Sequence, residues 1–291
     1  MSENKHAYLI MAHSNFTQLQ QLIHLLDHPR NDIYLHVDKK ATDFSKDQIT
    51  TQYSELHFIP RIRVTWSGHS QIQCEVRLLN AAAPRHYRYY HLISGMDLPT
   101  KTQDQIHRFF DSHPNRNYFN IDPVRSIAES ASYRIGTYHF LQNLIGKSDT
   151  MWLRRCSGIE QKLLAVQKKL GIRRKLIIPY YKGGNWFSIS DDFAQYVLSQ
   201  QKLIRKQFYY SICADEVFLQ CLIMASPYRD TLVNNCLREI DWERGCPYTF
   251  RMEDVDAVLA SPNLFARKFD MQVDEAAVQA MIQRLSADQD A

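Results

Sequence analysis

The 291-residue chain has no apolar run approaching the ~20 residues needed to span a bilayer. Its opening, Met1-Ser2-Glu3-Asn4-Lys5-His6, leads into a strand pattern without the apolar core of a signal peptide. Six cysteines (Cys74, Cys156, Cys213, Cys221, Cys236, Cys246) show no C-x-x-C spacing. That argues against a zinc ribbon or a disulfide frame and leaves buried thiols of a reducing compartment. A cytosolic protein is therefore expected. No G-x-G-x-x-G follows the first apolar run, so a dinucleotide-dependent oxidoreductase is disfavoured. Internal repeats and low-complexity linkers are also missing, and one domain over residues 1–291 is expected. The formal net charge of +4 is too small for a nucleic-acid footprint.

What is present is an alternation of strand and helix patterns. Ala7 to Ala12 is a short apolar run that reads as a buried strand. His13-Ser14-Asn15 follows as a turn and helix cap, and Leu19, Leu22, Ile23, Leu25 and Leu26 then recur at helical spacing. Asp32 to Val37 gives a second strand ending at Asp38. Strand, helix and strand in about thirty residues form a βαβ unit and imply a parallel sheet, whose ligands sit at the carboxyl ends of strands. Further strands are expected at Leu56–Ile59, Tyr89–Ile93 and Leu237–Trp242, and helices at Ser70–Ala83 and Thr102–Phe110. Residues 112–152 show the least regular pattern and are expected to carry an insertion that shapes acceptor recognition.

Leu153 to Lys175 carries eight cations against one Glu160, with Ile159, Leu163, Leu164, Val166 and Leu170 on another face. Such a segment reads either as a solvated helix face or as peripheral contact with an anionic membrane surface. Lys182-Gly183-Gly184-Asn185-Trp186 is a Gly-rich turn into a strand, and Ser190 is expected to cap the helix that follows.

Two clusters carry chemistry. Asp215-Glu216 opens an apolar helix pattern, where the dipole favours an anionic side chain. Asn263-Leu264-Phe265-Ala266-Arg267-Lys268-Phe269-Asp270 sets two adjacent cations in an apolar frame. A carboxylate that accepts a proton and a lysine that neutralises a leaving anion are the parts a metal-free group transfer needs. The bland alternative makes Asp215 and Glu216 capping acids.

Seven segments in order, AYLIMAH, IYLHVD, WSGHSQ, YHLISGMDLPTKT, GGNWFSIS, DEVFLQ and NLFARKFD, resemble the core-2/I-branching β-1,6-N-acetylglucosaminyltransferase family. That family also holds the peptide O-xylosyltransferases. The resemblance runs over roughly residues 6 to 285. It implies a GT-A type α/β fold, a Rossmann-like, mostly parallel sheet flanked by helices, with residues 6–100 as the nucleotide-sugar half and 101–291 as the acceptor and catalytic half. It also implies an inverting transferase that uses a UDP-sugar as substrate, with no metal and no cofactor. Glu216 matches the family's catalytic base, with Asp215 mainly a cap. Lys268 matches its diphosphate-binding lysine. Met11, His13, Asp38, Ser67 and Asp97 are the expected donor contacts, and Asp97 has a rival role as a buried carboxylate closing the Ser94–Pro99 turn. Trp186, Trp242 and Arg134 are the expected acceptor contacts.

The chain departs from the family in one place. The arginine that should assist the lysine aligns with Tyr248, so Arg251 or Arg244 must substitute, with Arg251 favoured. Arg267 is expected to be a bystander or a structural salt bridge. Two ligands at His36 and Asp38 make a poor metal site. Lack of an anchor points to a bacterial-type enzyme at the inner membrane face, adding N-acetylglucosamine or xylose to a surface polysaccharide or lipopolysaccharide. The competing reading is a UDP-sugar- or glycan-binding protein without catalysis.

Overall fold

A computed structural model describes residues 4–122, 131, 133–146 and 150–289. The first half follows the expected alternation closely. Strand β1 (His6–Ala12) pairs in parallel with β2 (Asn31–Val37) on one side and β4 (Tyr89–Ser94) on the other, and β3 (Glu55–Phe58) extends the sheet beyond β2. Past β4 the sheet turns mixed. Strand β7 (Ser188–Ser190) is antiparallel to both β4 and β6 (Asn117–Tyr118), and β8 (Leu232–Val233) closes the seven-stranded order β3-β2-β1-β4-β7-β6-β8. The sheet is thus mostly parallel and mixed at one end, with helices packed on it.

Side chains along a strand alternate between faces, and here both faces are covered. Tyr8 and Ile10 of β1, Ile33 and Leu35 of β2, and Ile93 of β4 pack on one side with helix α1 (Phe16–Leu26). Ala7, Leu9, Tyr34, Tyr90 and Leu92 pack on the other with helix α2 (Ser70–Ala82). Continuous apolar runs in β1 and β4 follow from this double burial. Helix α3 (Gln103–Ser112) starts on a full capping box, with Thr102 and Gln105 satisfying each other's backbone amides.

A second, three-stranded sheet has the order β5-β10-β9. Strand β10 (Phe265–Arg267) runs antiparallel to β5 (Asp97–Pro99) and parallel to β9 (Arg238–Ile240). Buried Arg238 fastens it to the large sheet. Its guanidinium donates to the Leu92 and Phe187 carbonyls at 3.0 and 2.8 Å and to Ser188 Oγ at 3.0 Å. Strands this short carry little periodicity, and β5, β6, β8 and β10 were not separable from loop by pattern.

Two expectations need correction. Asp215 and Glu216 lie in a 3₁₀ turn (Ala214–Glu216) before a seven-residue helix (Phe218–Met224), not in the first turn of a long one. Ser190 makes no side-chain cap; its hydroxyl goes to Asn117 Oδ1. The basic segment forms a helix over Met151–Lys169 whose buried residues are Cys156, Glu160 and Gln167, while Ile159 and Val166 face solvent. Among the described residues no helix is long and apolar enough to cross a membrane.

Candidate active site

Three strand ends meet where the βαβ reading places a ligand. The Asp38 amide donates to the Ala12 carbonyl at 2.8 Å, and the Gly95 amide to the Met11 carbonyl at 3.1 Å. Met11, His13, Asp38 and the Ser94–Asp97 turn are therefore neighbours. Asp38 is buried, and its carboxylate accepts from the Lys40 amide at 2.9 Å and pairs with Lys40 Nζ at 3.3 Å. His36 Nε2 accepts the Ile62 amide at 3.0 Å, and burial lowers its pKa to about 4, so the ring is a neutral, engaged acceptor. Among the described residues no group of three or more His, Cys, Asp or Glu is arranged to hold a metal ion.

The small sheet delivers the cations. Register pairs Arg267 of β10 with Asp97 of β5. Arg267 Nη1 bonds Asp97 Oδ1 and Ser94 Oγ, both at 2.6 Å, and its guanidinium lies 4.4 Å from the Trp186 ring centroid. Asp97 is fully buried and also accepts the Ser94 amide at 2.8 Å. Its surroundings are those of the turn-closing carboxylate, each oxygen accepting from Ser94 or Arg267. Lys268 comes next in the chain, half-buried, and its ammonium has no partner among the described residues. Both cations reach His13: partial burial lowers the His13 pKa, Asp38 opposes this, and Lys40, Arg267 and Lys268 add to the lowering.

Glu216 is held on a different set of contacts. Arg134 Nη1 donates to Glu216 Oε2 at 2.7 Å, and Oε1 has no partner among the described residues. Arg134 is thus the partner of the carboxylate, a role its assignment to the acceptor did not foresee. The Gly183 amide donates to the Glu216 carbonyl at 2.9 Å, and Gln220 Nε2 donates to the Gly184 carbonyl at 2.7 Å. A Cβ on Gly183 would sit 1.7 Å from the Asn120 carbonyl oxygen, so only glycine allows this approach. Trp186 lies three residues beyond Gly183, which bounds their Cα separation at about 11 Å. One loop therefore ties the Glu216 backbone at its start to the Arg267 guanidinium at its end.

Ser67 packs against Cys213, the residue that leads into the Glu216 turn. It is buried, its Oγ lies 2.9 Å from Cys213 Sγ, and its carbonyl accepts the Cys213 amide at 2.9 Å. It braces the turn that carries Glu216. Trp242 stands 62% exposed just past β9, a ring face open to solvent. Arg251 does not point to the cations: its Nη1 donates to the Val273 carbonyl at 2.6 Å. Arg244 lies 4.1 Å from the Tyr248 ring centroid while pairing with Asp241 and Asp254. Of the two arginines, Arg244 is the one beside the position that aligns with the family's arginine. Surface concavities of about 290 and 510 Å³, beside His69 and His86 respectively, contain none of these residues.

Asp215 is a buried partner, not a cap. Its Oδ2 accepts from Gln71 Nε2 at 2.8 Å, and burial, reinforced by the Glu216 charge, pushes its carboxyl up to about 7. Glu75 lies near it, fully buried, with neither oxygen hydrogen-bonded among the described residues, and burial drives its pKa well above the usual range. A raised folded-state pKa means the native state holds the Asp215 proton more tightly than the unfolded chain does. Its contribution is complete below the unfolded value of 3.8 and is lost as pH rises to about 7. Asp215→Asn should keep the Gln71 bond and escape that loss. In thermal melts its gain over the parent is expected to widen between about pH 4 and pH 8, up to roughly 4 kcal/mol. A constant offset across that range would show that the group does not titrate there.

The family model for the Core-2/I-Branching enzyme matches residues 6–261. Human xylosyltransferase 1 is 26% identical over 302 residues, covering 92% of this chain and 29% of that protein. Dog xylosyltransferase 2 is 24% identical over 309 residues, covering 94% and 33%. The chain thus spans about a third or less of the length of these relatives. A crystal structure of mouse xyloside xylosyltransferase 1 in its apo form overlaps 89% of this chain and 96% of that one, with 10% identity and a TM-score of 0.36. The family match stops at Ser261, so the Arg267–Lys268 pair lies beyond it.

Proposed function

The chain belongs to the Core-2/I-branching enzyme family, and from that premise we propose that it is an inverting glycosyltransferase that uses a UDP-sugar and no metal ion. The observation that supports the reading is the Gly183–Trp186 loop, which joins the backbone of Glu216, a carboxylate with one open oxygen, to the guanidinium of Arg267, the chain neighbour of a lysine with no described partner. In the reaction, the acceptor hydroxyl gives its proton to Glu216 Oε1 as its oxygen bonds the anomeric carbon. The bond from that carbon to the diphosphate breaks on the opposite face. Negative charge gathers on the departing UDP, and the fixed Lys268 ammonium stabilises it. Arg134 holds Oε2 so that Oε1 stays oriented, an ordering effect that lowers the entropic part of the barrier.

Asp38, Met11 and His13 suit the uridine end, and exposed Trp242 offers an apolar ring to a sugar face. Arg244, beside Tyr248, is the better candidate than Arg251 for a second diphosphate contact. The relatives named above are xylosyltransferases, which makes UDP-xylose the first donor to try and UDP-N-acetylglucosamine the second. The acceptor is a glycan hydroxyl, and a bacterial surface polysaccharide or lipopolysaccharide assembled at a membrane face is the setting that fits the basic 153–175 segment.

UDP release from each donor, measured with and without EDTA, tests the reading. Turnover is expected with one of the two donors and should change less than about twofold on chelation, because a fixed ammonium takes the place a bound cation would fill. Loss of turnover in EDTA would overturn the metal-free mechanism. UDP binding with no turnover on any donor would replace the transferase by a binding protein.

A further inference from the structure

The Met151–Lys169 helix is packed with Cys156, Glu160 and Gln167 inward. Glu160 is buried, where its Oε2 accepts the Leu141 amide at 3.1 Å and its Oε1 lies 3.6 Å from His139 Nδ1. Gln167 is buried too and bonds the Tyr138 backbone amide and carbonyl, both at 2.9 Å. Several apolar side chains on a neighbouring face are exposed instead. Trp152, Ile159 and Val166 are 59%, 52% and 51% exposed, and Leu170 at the end of the helix is 66% exposed. Ten of the sixteen exposed large apolar side chains among the described residues fall between Tyr133 and Ile177, so this is one region and not a scatter.

Spacing turns these residues into two stripes. Trp152, Ile159 and Val166 recur every seven residues and so share one helix face, drifting by about 20° per step. Arg155, Lys162 and Lys169 recur at the same interval three residues further on, which sets them about 60° around the helix on the outer side of the apolar stripe. All three are exposed and make no ion pair with a described residue. The helix's single acidic residue, Glu160, is the one turned inward. Lys168, Arg173 and Lys175 add exposed positive charge at the helix end and just past it.

We propose that this face is a docking surface for an anionic lipid bilayer, with the Trp152–Ile159–Val166 stripe entering the headgroup–acyl boundary and the Arg155–Lys162–Lys169 stripe lying against lipid phosphates. Charge complementarity selects that occupant. An apolar stripe edged by cations that have no ion-pair partner among the described residues, with no exposed carboxylate on the helix, matches a surface that is apolar beneath and anionic above. Long basic side chains reach the phosphates from a partly sunk helix. A second copy of the chain fits less well, because an antiparallel pairing of these helices would set the two basic stripes against each other. The proposal does not depend on the transfer chemistry, since lipid binding is read without donor or acceptor.

Vesicle flotation tests it. The protein is expected to bind vesicles of phosphatidylcholine with about one-third phosphatidylglycerol at least tenfold more tightly than pure phosphatidylcholine, and to lose that preference as salt rises. R155E/K162E/K169E should weaken binding by about a hundredfold, each basic residue near an anionic surface being worth roughly fivefold. I159D/V166D should weaken it comparably while the circular dichroism spectrum is kept. Brominated acyl chains should quench tryptophan fluorescence in the parent and not in Trp152→Phe. Equal binding to neutral vesicles, or variants that bind like the parent, would overturn the proposal. Salt-sensitive binding without acyl quenching would transfer the surface to a soluble acidic partner. A dimer that I159D dissociates, with no vesicle binding, would transfer it to a second copy.

Discussion

Glu216→Gln is expected to lower the transfer rate by about a hundredfold to ten-thousandfold, the range a positioned general base contributes. The same variant should bind UDP within about twofold of the parent. The substitution keeps the side chain's shape, so its remaining oxygen still accepts from Arg134 Nη1. The Gly183 amide bonds the backbone carbonyl of residue 216 and is indifferent to the side chain. What disappears is an oxygen able to take up the acceptor proton. Initial rates together with UDP calorimetry decide the matter: a rate above about a tenth of the parent's would require another base. Arg134→Ala provides a useful contrast. It should leave the base in place and slow turnover less, by loosening the carboxylate that Arg134 orients.

Lys268→Ala should act on binding and chemistry together. Removing a fixed cation from a developing oxyanion costs on the order of a hundredfold to a thousandfold in rate, and UDP affinity should fall about tenfold with it. The fold should tolerate the change, because the ammonium has no described partner that would be left behind. Arg267→Ala differs for a physical reason. It would strand the fully buried Asp97 carboxylate, whose Oδ1 is 2.6 Å from the guanidinium, and an uncompensated buried charge is strongly destabilising. Thermal melts beside kinetics separate the two: Lys268→Ala should melt near the parent, and Arg267→Ala well below it. If Lys268→Ala kept both UDP affinity and rate, the diphosphate would have to be held elsewhere, with Arg244 the first position to examine.

Much of the first half was legible because its elements are long and locally consistent. Strand β1 is a continuous apolar run, and helix α1 repeats at helical spacing. Those signals need only near neighbours. The basic helix was legible as a helix, but spacing reveals faces without saying which one is covered. Glu160 and Gln167 face inward because distant backbone groups at Leu141 and Tyr138 satisfy them. Asp215 was misjudged for the same kind of reason: a cap and a buried carboxyl look alike until Gln71 and Glu75 are brought beside it.

The division is clearest at the pair Arg267–Lys268. Sequence alone determined the βαβ start, the strand ends carrying Met11, His13 and Asp38, and the residue types that a proton acceptor and an anion-stabilising cation require. It also determined, through seven ordered segments, the family to which the chain belongs. Tertiary structure decided which adjacent cation is engaged and which is open. Register between β10 and β5 sets Arg267 against Asp97, at a separation of 170 positions in the chain. It also decided that four residues, Gly183 to Trp186, join the Glu216 backbone to the Arg267 guanidinium. Neither fact has a local signal, because strand pairing and the close approach that only a glycine permits are relations between segments, set by packing across the fold and not by any one stretch of chain.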